Sequence, residues 1–354
     1  MGSARTLAQQ YRHFGEVEAA GTSPLYERVA VALSESDEAL RALEAVPARR
    51  RHPALILSAL HDLALSGRAP ALAAAYATGD RDAAAGAAVD TLLQTTDAVV
   101  ALAVRRRTQT CETGRCAVLY PAVAEAAHRA GADAVGLIDV GGSAGLSLHL
   151  DRVGIAYGNG QSLGDPSSSV QLSASVKGDR PVPARAVPEV VARVGVGPDP
   201  LDVTDPEDAR WLRACVWPDQ TERLARLDAE LALAATAPVL LVRGNPVEVL
   251  PDALARVPAG ALPVVVTAWA LSSLPLEGRL CFLRHLEEAA EGRAVAWVSV
   301  EGVGVAPAVP TLGDRPASGH SIVGVAVGDR SALRAEAVAR CWSRGRWLQW
   351  LADS

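Results

Sequence analysis

Residues 135–153, VGLIDVGGSAGLSLHLDRV, run from a short apolar strand through a glycine-rich turn into a stretch that reads as the start of a helix. Val135 to Val140 is too short and too β-branched for a good helix and reads as a buried parallel strand. Gly141, Gly142 and Gly145 permit positive φ and let a ligand approach the main chain without meeting a Cβ. Leu146, Leu148 and Leu150 then open a helix whose first N–H groups would point back at that ligand. Strand, glycine turn and helix make half of a Rossmann-like unit.

An acid sits inside this motif, in the pattern Asp139-x-Gly141-x-Ser143-x-Gly145, and an acid at a strand end suits a cationic ligand. The pattern resembles the first motif of class I S-adenosylmethionine (SAM) methyltransferases, in which a Glu or Asp ends the first strand and faces the ammonium of the methionine moiety. A turn with no ligand is the plain alternative. The same residues also satisfy Gly-x-Ser-x-Gly, the nucleophile elbow of α/β hydrolases, with Ser143 as nucleophile, His320 downstream, and Asp202 or Asp252 to orient it. Against that stands the long helical segment before the strand, where a hydrolase places several strands and its oxyanion loop.

Composition bounds the class. The 354 residues are 49% hydrophobic, enough for one large domain or two small ones with packed cores. The amino terminus, MGSARTLAQQYRHFGEVE, lacks the apolar core of a signal peptide, and no apolar run reaches about 18 residues, so a cytoplasmic protein with no membrane partner is expected. A net charge of −6 with dispersed arginines offers no basic face for nucleic acid. Five scattered cysteines fit neither a disulfide framework nor a zinc knuckle, so buried thiols and no metal are expected.

Leu7 to about Ala130 is helical in pattern, punctuated by Gly21, Pro47, Gly67 and Pro70, and residues 1–130 read as a helical cap. Residues 131–354 read as a Rossmann-like, doubly wound α/β domain of about seven strands, with an insertion at 155–189. The strands are placed at Val135–Val140, Val190–Val196, Pro238–Arg243, Leu262–Ala268, Ala294–Val300 and Ser321–Val327, with a short seventh near Arg346–Trp350. Val170–Val176 could be a hairpin arm, and Asp205 to Ala235 reads as helix broken at Pro218.

Several segments together resemble an uncharacterised, mainly actinobacterial family, the domain of unknown function 2332. They include Ala59-Leu60-His61-Asp62-Leu63, the run from Arg107 to Cys116, the glycine motif, Gly164-Asp165-Pro166, Pro200 to Pro206, Arg243-Gly244-Asn245, Glu301-Gly302 and Gly345-Arg346-Trp347-Leu348. The resemblance covers nearly the whole chain and implies a methyltransferase-like domain behind a helical amino-terminal part. Where the family carries an acid after the second strand, this chain has Gly197, with Asp199 two residues later. Cys111 stands in place of an Asn, and Cys341 to Gly345 in place of a His-Pro-His-Gly.

The expected function is methyl transfer from SAM to a small-molecule metabolite, with a homodimer as the candidate assembly and a non-catalytic SAM or nucleotide binder as the alternative. Asp139, Gly141, Gly142, Ser143 and Gly145 would line the methionine side, Asp199 the ribose, and Gly244 with Asn245 the adenine edge. Thr108, Gln109 and Trp269 are candidate substrate contacts. Glu112 is the candidate base and Arg115 the anchor for a carboxylate or phosphate, since helical spacing would put Thr108, Glu112 and Arg115 on one face. A surface Glu-Arg pair of little energetic worth is the competing reading. His61 and Asp62, in an apolar helix, read as structural.

Overall fold

The computed structural model describes residues 6–109, 113–142, 144–330, 332–342 and 344–352. The chain forms two compact units, one of residues 1–110 with 204–228, the other of residues 111–203 with 229–354. The first is helical. It contains α1 (Leu7–His13), α2 (Pro24–Glu35), α3 (Asp37–Leu43), α4 (Pro53–Leu65), α5 (Pro70–Thr78), α6 (Arg81–Gln94) and α7 (Thr96–Arg105). The segment 116–129, by contrast, belongs to the sheet unit as α8 (Cys116–Arg129), and α9 (Pro206–Ala214) belongs to the helical unit. The boundary at Asp228 falls within α10 (Thr221–Ala235), and α11 (Leu250–Ala255) and α12 (Leu276–Gly292) complete the set.

Local sequence explains the helix starts. Thr6, Ser23, Ser36, Asp80 and Asp205 each accept a backbone N–H from the first turn that follows, and Pro24, Pro53, Pro70 and Pro206 occupy first-turn positions where no N–H is needed. In the helical unit, His61 and Asp62 are buried and partnered. His61 Nδ1 lies 3.2 Å from the Ala214 carbonyl and Asp62 pairs with Arg210 at 2.9 Å, tying α4 to α9.

The sheet has eleven strands, not about seven. They are β1 (Ala134–Val140), β2 (Gly154–Tyr157), β3 (Ser162–Gly164), β4 (Gln171–Val176), β5 (Glu189–Gly197), β6 (Leu240–Arg243), β7 (Leu262–Ala268), β8 (Val295–Gly302), β9 (Ser321–Gly328), β10 (Arg334–Cys341) and β11 (Trp347–Trp350). Their order is β3-β2-β4-β11-β10-β9-β8-β7-β1-β5-β6. The four extra strands have two physical origins. β2, β3 and β4 come from the polar, turn-rich insertion and extend the sheet beyond β11, and β10 (RAEAVARC) begins by alternating exposed charge with half-buried alanine, which masks it as a loop.

Five strands, β1 and β5 to β8, run parallel in the order β6-β5-β1-β7-β8, the 3-2-1-4-5 order of a doubly wound sheet. From β8 the sheet continues antiparallel through β9, β10 and β11. One face is covered by α8, nearly all of whose residues are buried, with Leu137, Val264, Val266 and Val298 in its core. The other carries Ile138, Val194, Val265 and Trp297 packed with Leu250 of α11 and Phe282 and Leu286 of α12.

Two local expectations fail for identifiable reasons. Past Gly145 the chain forms a 3₁₀ segment, Leu146–Arg152, kinked at His149, rather than an α-helix. Its leucines recur every second residue, which cannot make one face of a 3.6-residue helix, and Leu148 and Leu150 enter the core instead. Likewise α7 ends at Arg105, so residues 106–109 are not helical and Thr108 does not share a helical face with Arg115. Arg106 is drawn to Asp208, and the Arg107 carbonyl accepts the Trp211 indole N–H at 2.9 Å instead of a helical N–H.

Candidate active site at the switch point of the sheet

Beside β1 the chain changes direction. It passes from β1 to β5 on one side and later to β7 on the other, which makes the carboxyl ends of these strands the switch point where open α/β sheets seat their ligands. The elements bring Asp139, Gly141, Gly142, Arg115, Trp269 and Glu301 to this edge of the sheet unit.

Asp139 is buried one residue before the end of β1 and accepts a short hydrogen bond from Ser147 Oγ on the 3₁₀ segment. Burial raises its pKa above the ordinary carboxylate value, opposed by the Ser147 bond and the positive charge of Arg115. The glycines have distinct reasons. Gly141 has φ +87°, and a Cβ there would stand 2.9 Å from Ala270 Cβ; a Cβ on Gly142 would overlap Asp139 Oδ2. The turn is thus pressed between its own acid and the segment after β7.

Arg115 ends a 3₁₀ turn, Thr113–Arg115, immediately before α8, and its Nη1 donates to the Ala268 carbonyl at the end of β7 at 3.1 Å. Its Nε is buried with no hydrogen-bond partner among the described residues. The guanidinium therefore retains donor capacity beside Asp139. Trp269 follows β7 with φ +60°, an uncommon state for a bulky residue, and stays 42% exposed. Its N–H donates to Val300 O at 3.0 Å and its indole N–H to Ser321 Oγ at 2.9 Å.

The expected ribose and adenine contacts are otherwise engaged. Asp199 pairs with Arg243 at 3.2 Å, on the exposed surface past β5 and β6. Asn245 accepts the Val247 N–H at 3.0 Å and donates to Glu248 at 3.2 Å, organising the approach to α11, and Gly244 leaves room for Val249. Thr108 and Gln109 lie in the helical unit, where Gln109 N–H donates to Cys215 Sγ at 3.4 Å. Glu112 and Ser143 lie outside the described residues.

His320 directly precedes β9, three strands from β1, about 14 Å at ordinary strand spacing. Its partner is Asp314 at 2.9 Å, which Arg340 also holds at 2.6 and 3.0 Å.

Sequence reasoning assigned no role to Glu301, although the Glu301-Gly302 pair stood among the segments of the resemblance. The side chain is only 1% exposed at the end of β8, and its Oε1 accepts the N–H groups of Ala270 and Leu271, each at 3.0 Å. Burial pushes its pKa up to about 7, against the pull of those N–H bonds and of Arg279.

The model of one bacterial family matches residues 8–350. The chain belongs to that family, described as an uncharacterized protein conserved in bacteria, the domain of unknown function 2332. No curated protein matches the chain. The match takes in both units, so the helical unit and the eleven-stranded unit are parts of one family architecture.

Proposed function

We propose that this family member is a SAM-dependent transferase acting on a small-molecule metabolite, with SAM seated over the carboxyl ends of β1, β5 and β7. The observation that carries the reading is Asp139, a buried carboxyl at the end of the first strand and at the switch point, followed by a turn in which Gly141 and Gly142 leave no room for side chains. A cationic ligand fits a buried acid, and a glycine turn lets its main-chain contacts close. The unfilled Arg115 Nε suits an anionic group on ligand or substrate.

SAM supplies an already activated methyl group, so the protein's task is alignment and, for some acceptors, removal of a proton. Asp139 would orient the ammonium, with Gly141, Gly142, Ser143 and Gly145 on the methionine side. Arg115 would anchor a carboxylate or phosphate, Glu112 would take a proton, and Trp269 would wall the site. Asp199 would reach a ribose only after leaving Arg243, and Gly244 with Asn245 would border the adenine. That engaged acid is also what favours the second reading, a protein that binds SAM without turning it over.

Calorimetry with SAM and S-adenosylhomocysteine on the purified chain tests the reading. Binding is expected, to be lost in Gly141→Val and weakened about tenfold in Asp139→Asn, where a charge-assisted contact becomes neutral. Absence of heat and of any thermal shift at millimolar ligand would defeat it. Labelled SAM incubated with a metabolite extract separates catalyst from binder: a transferase passes the label to a metabolite and loses this in Glu112→Gln or Arg115→Ala.

A further inference from the structure

The turn after β7 is fixed from two directions. Glu301 Oε1 takes its N–H groups at Ala270 and Leu271, while Arg279 of α12 donates from Nε to the carbonyls of Leu271 and Leu274, both at 2.9 Å. Within this clasp Trp269 holds its left-handed backbone, and Ala270 stands where a Cβ on Gly141 would need to go. A strained bulky residue persists only where its surroundings over-determine it. On the same face of β8, two residues before Glu301, Ser299 Oγ is buried without a partner among the described residues, and so is Glu301 Oε2.

We propose that Glu301 is a positioning residue: its carboxyl group holds the Trp269–Leu271 turn against Gly141 and so sets the floor of the switch point at β1 and β7. It acts through the turn and not on a ligand, because both its oxygens are withdrawn from the surface. The inference deepens the SAM reading, on which its relevance to binding rests, but the clasp itself is a property of the sheet unit.

Its dependence on pH has a definite sign. The charged group that bears on Glu301 is Arg279 from α12; Thr267 on β7, Ser299 on β8 and the Ile322 neighbour on β9 bring no charge. Burial outweighs the N–H bonds and Arg279, so the closed turn favours the protonated carboxyl, whose Oε1 still accepts both N–H groups. An opening that lets water reach the group lowers its pKa toward the ordinary value of 4.5. Rising pH therefore loosens the turn through neutrality, and falling pH locks it.

Hydrogen exchange at the Ala270 and Leu271 amides of the full chain, corrected for the intrinsic dependence of exchange on pH, reads the clasp directly. Protection in the wild type is expected to fall about tenfold between about pH 6 and about pH 8. Glu301→Gln, a neutral mimic that keeps the accepting oxygen, should be protected at both pH values, and Glu301→Ala should be unprotected at both. S-adenosylhomocysteine affinity, measured in parallel, should follow the same order. Equal exchange in wild type and Glu301→Gln at both pH values would overturn the proposal even if the ligand binds. The expected exchange pattern with no ligand binding would uphold the clasp and sink the SAM reading instead.

Discussion

At the scale of single residues, Asp139 shows how a buried acid is kept usable. Only Ser147 among the described side chains donates to it, and Arg115 lowers its cost from a distance. Removing the hydroxyl leaves a buried acceptor unmet, which costs about 1–3 kcal/mol. Because the Ser147 bond favours the ionised form, Ser147→Ala should destabilise the sheet unit more where Asp139 is ionised than in acid, where it is protonated. Urea unfolding across a pH series running into acid checks this; a loss of the same size throughout would show that the Ser147 bond does not favour the ionised form. Asp139 was legible as an acid at a strand end because its place between strand and glycines is a local pattern. Glu301 was not, since nothing in Val298-Ser299-Val300-Glu301 announces that a turn some thirty residues earlier needs an acceptor.

At the scale of elements, the link between β10 and β11 decides where Arg115 stands. Gly345 has φ +74°, and a Cβ there would overlap the carbonyl oxygen of Gly114, one residue before Arg115. Gly345→Ala must therefore strain its own backbone and push the 113–115 turn away from the Ala268 carbonyl. A loss of about 2–4 kcal/mol is expected, with weaker ligand binding than an equally destabilising core substitution produces. Thermal unfolding and calorimetry on Gly345→Ala beside Val338→Ala make the comparison; equal binding in both would separate Gly345 from the site. The central parallel strands β1, β7 and β8 were readable because both their faces are buried, which writes continuous apolar runs such as Leu262–Ala268. β10 was not, because a strand with one wetter face carries charges that look like a loop.

At the scale of the whole molecule, the two units carry buried titratable groups of opposite sign. In the helical unit burial lowers the His61 pKa from 6.5 to about 4, against its bonds to the Ala214 and Val216 carbonyls. The folded state thus rejects a proton that the unfolded chain takes, and stability falls as pH drops from 6.5 toward 4. In the sheet unit the Glu301 carboxyl rises from 4.5 to about 7, so stability falls as pH climbs through that window. Each contributes on the order of 3 kcal/mol. Hydrogen exchange resolved by unit should show α4 amides losing protection toward acid and β8 amides losing it toward neutrality. His61→Asn and Glu301→Gln should each flatten one profile and leave the other; a shared profile would mean that the units unfold as one.

What the sequence by itself determined is what local physics writes: caps and prolines that start helices, buried parallel strands as apolar runs, and an acid with glycines at the end of β1. The helical unit's buried His61 and Asp62 belong here too, since a polar pair in an apolar helix must find partners. Tertiary structure alone decided the rest. Only assembly extends the sheet to eleven strands through β2 to β4, returns residues 204–228 to the helical unit, sets Asp199 against Arg243, and brings Glu301 to the turn after β7. Those pairings join residues from about thirty to well over a hundred positions apart, and hydrogen bonds or charges between distant segments leave no periodicity in the chain for a reader to find.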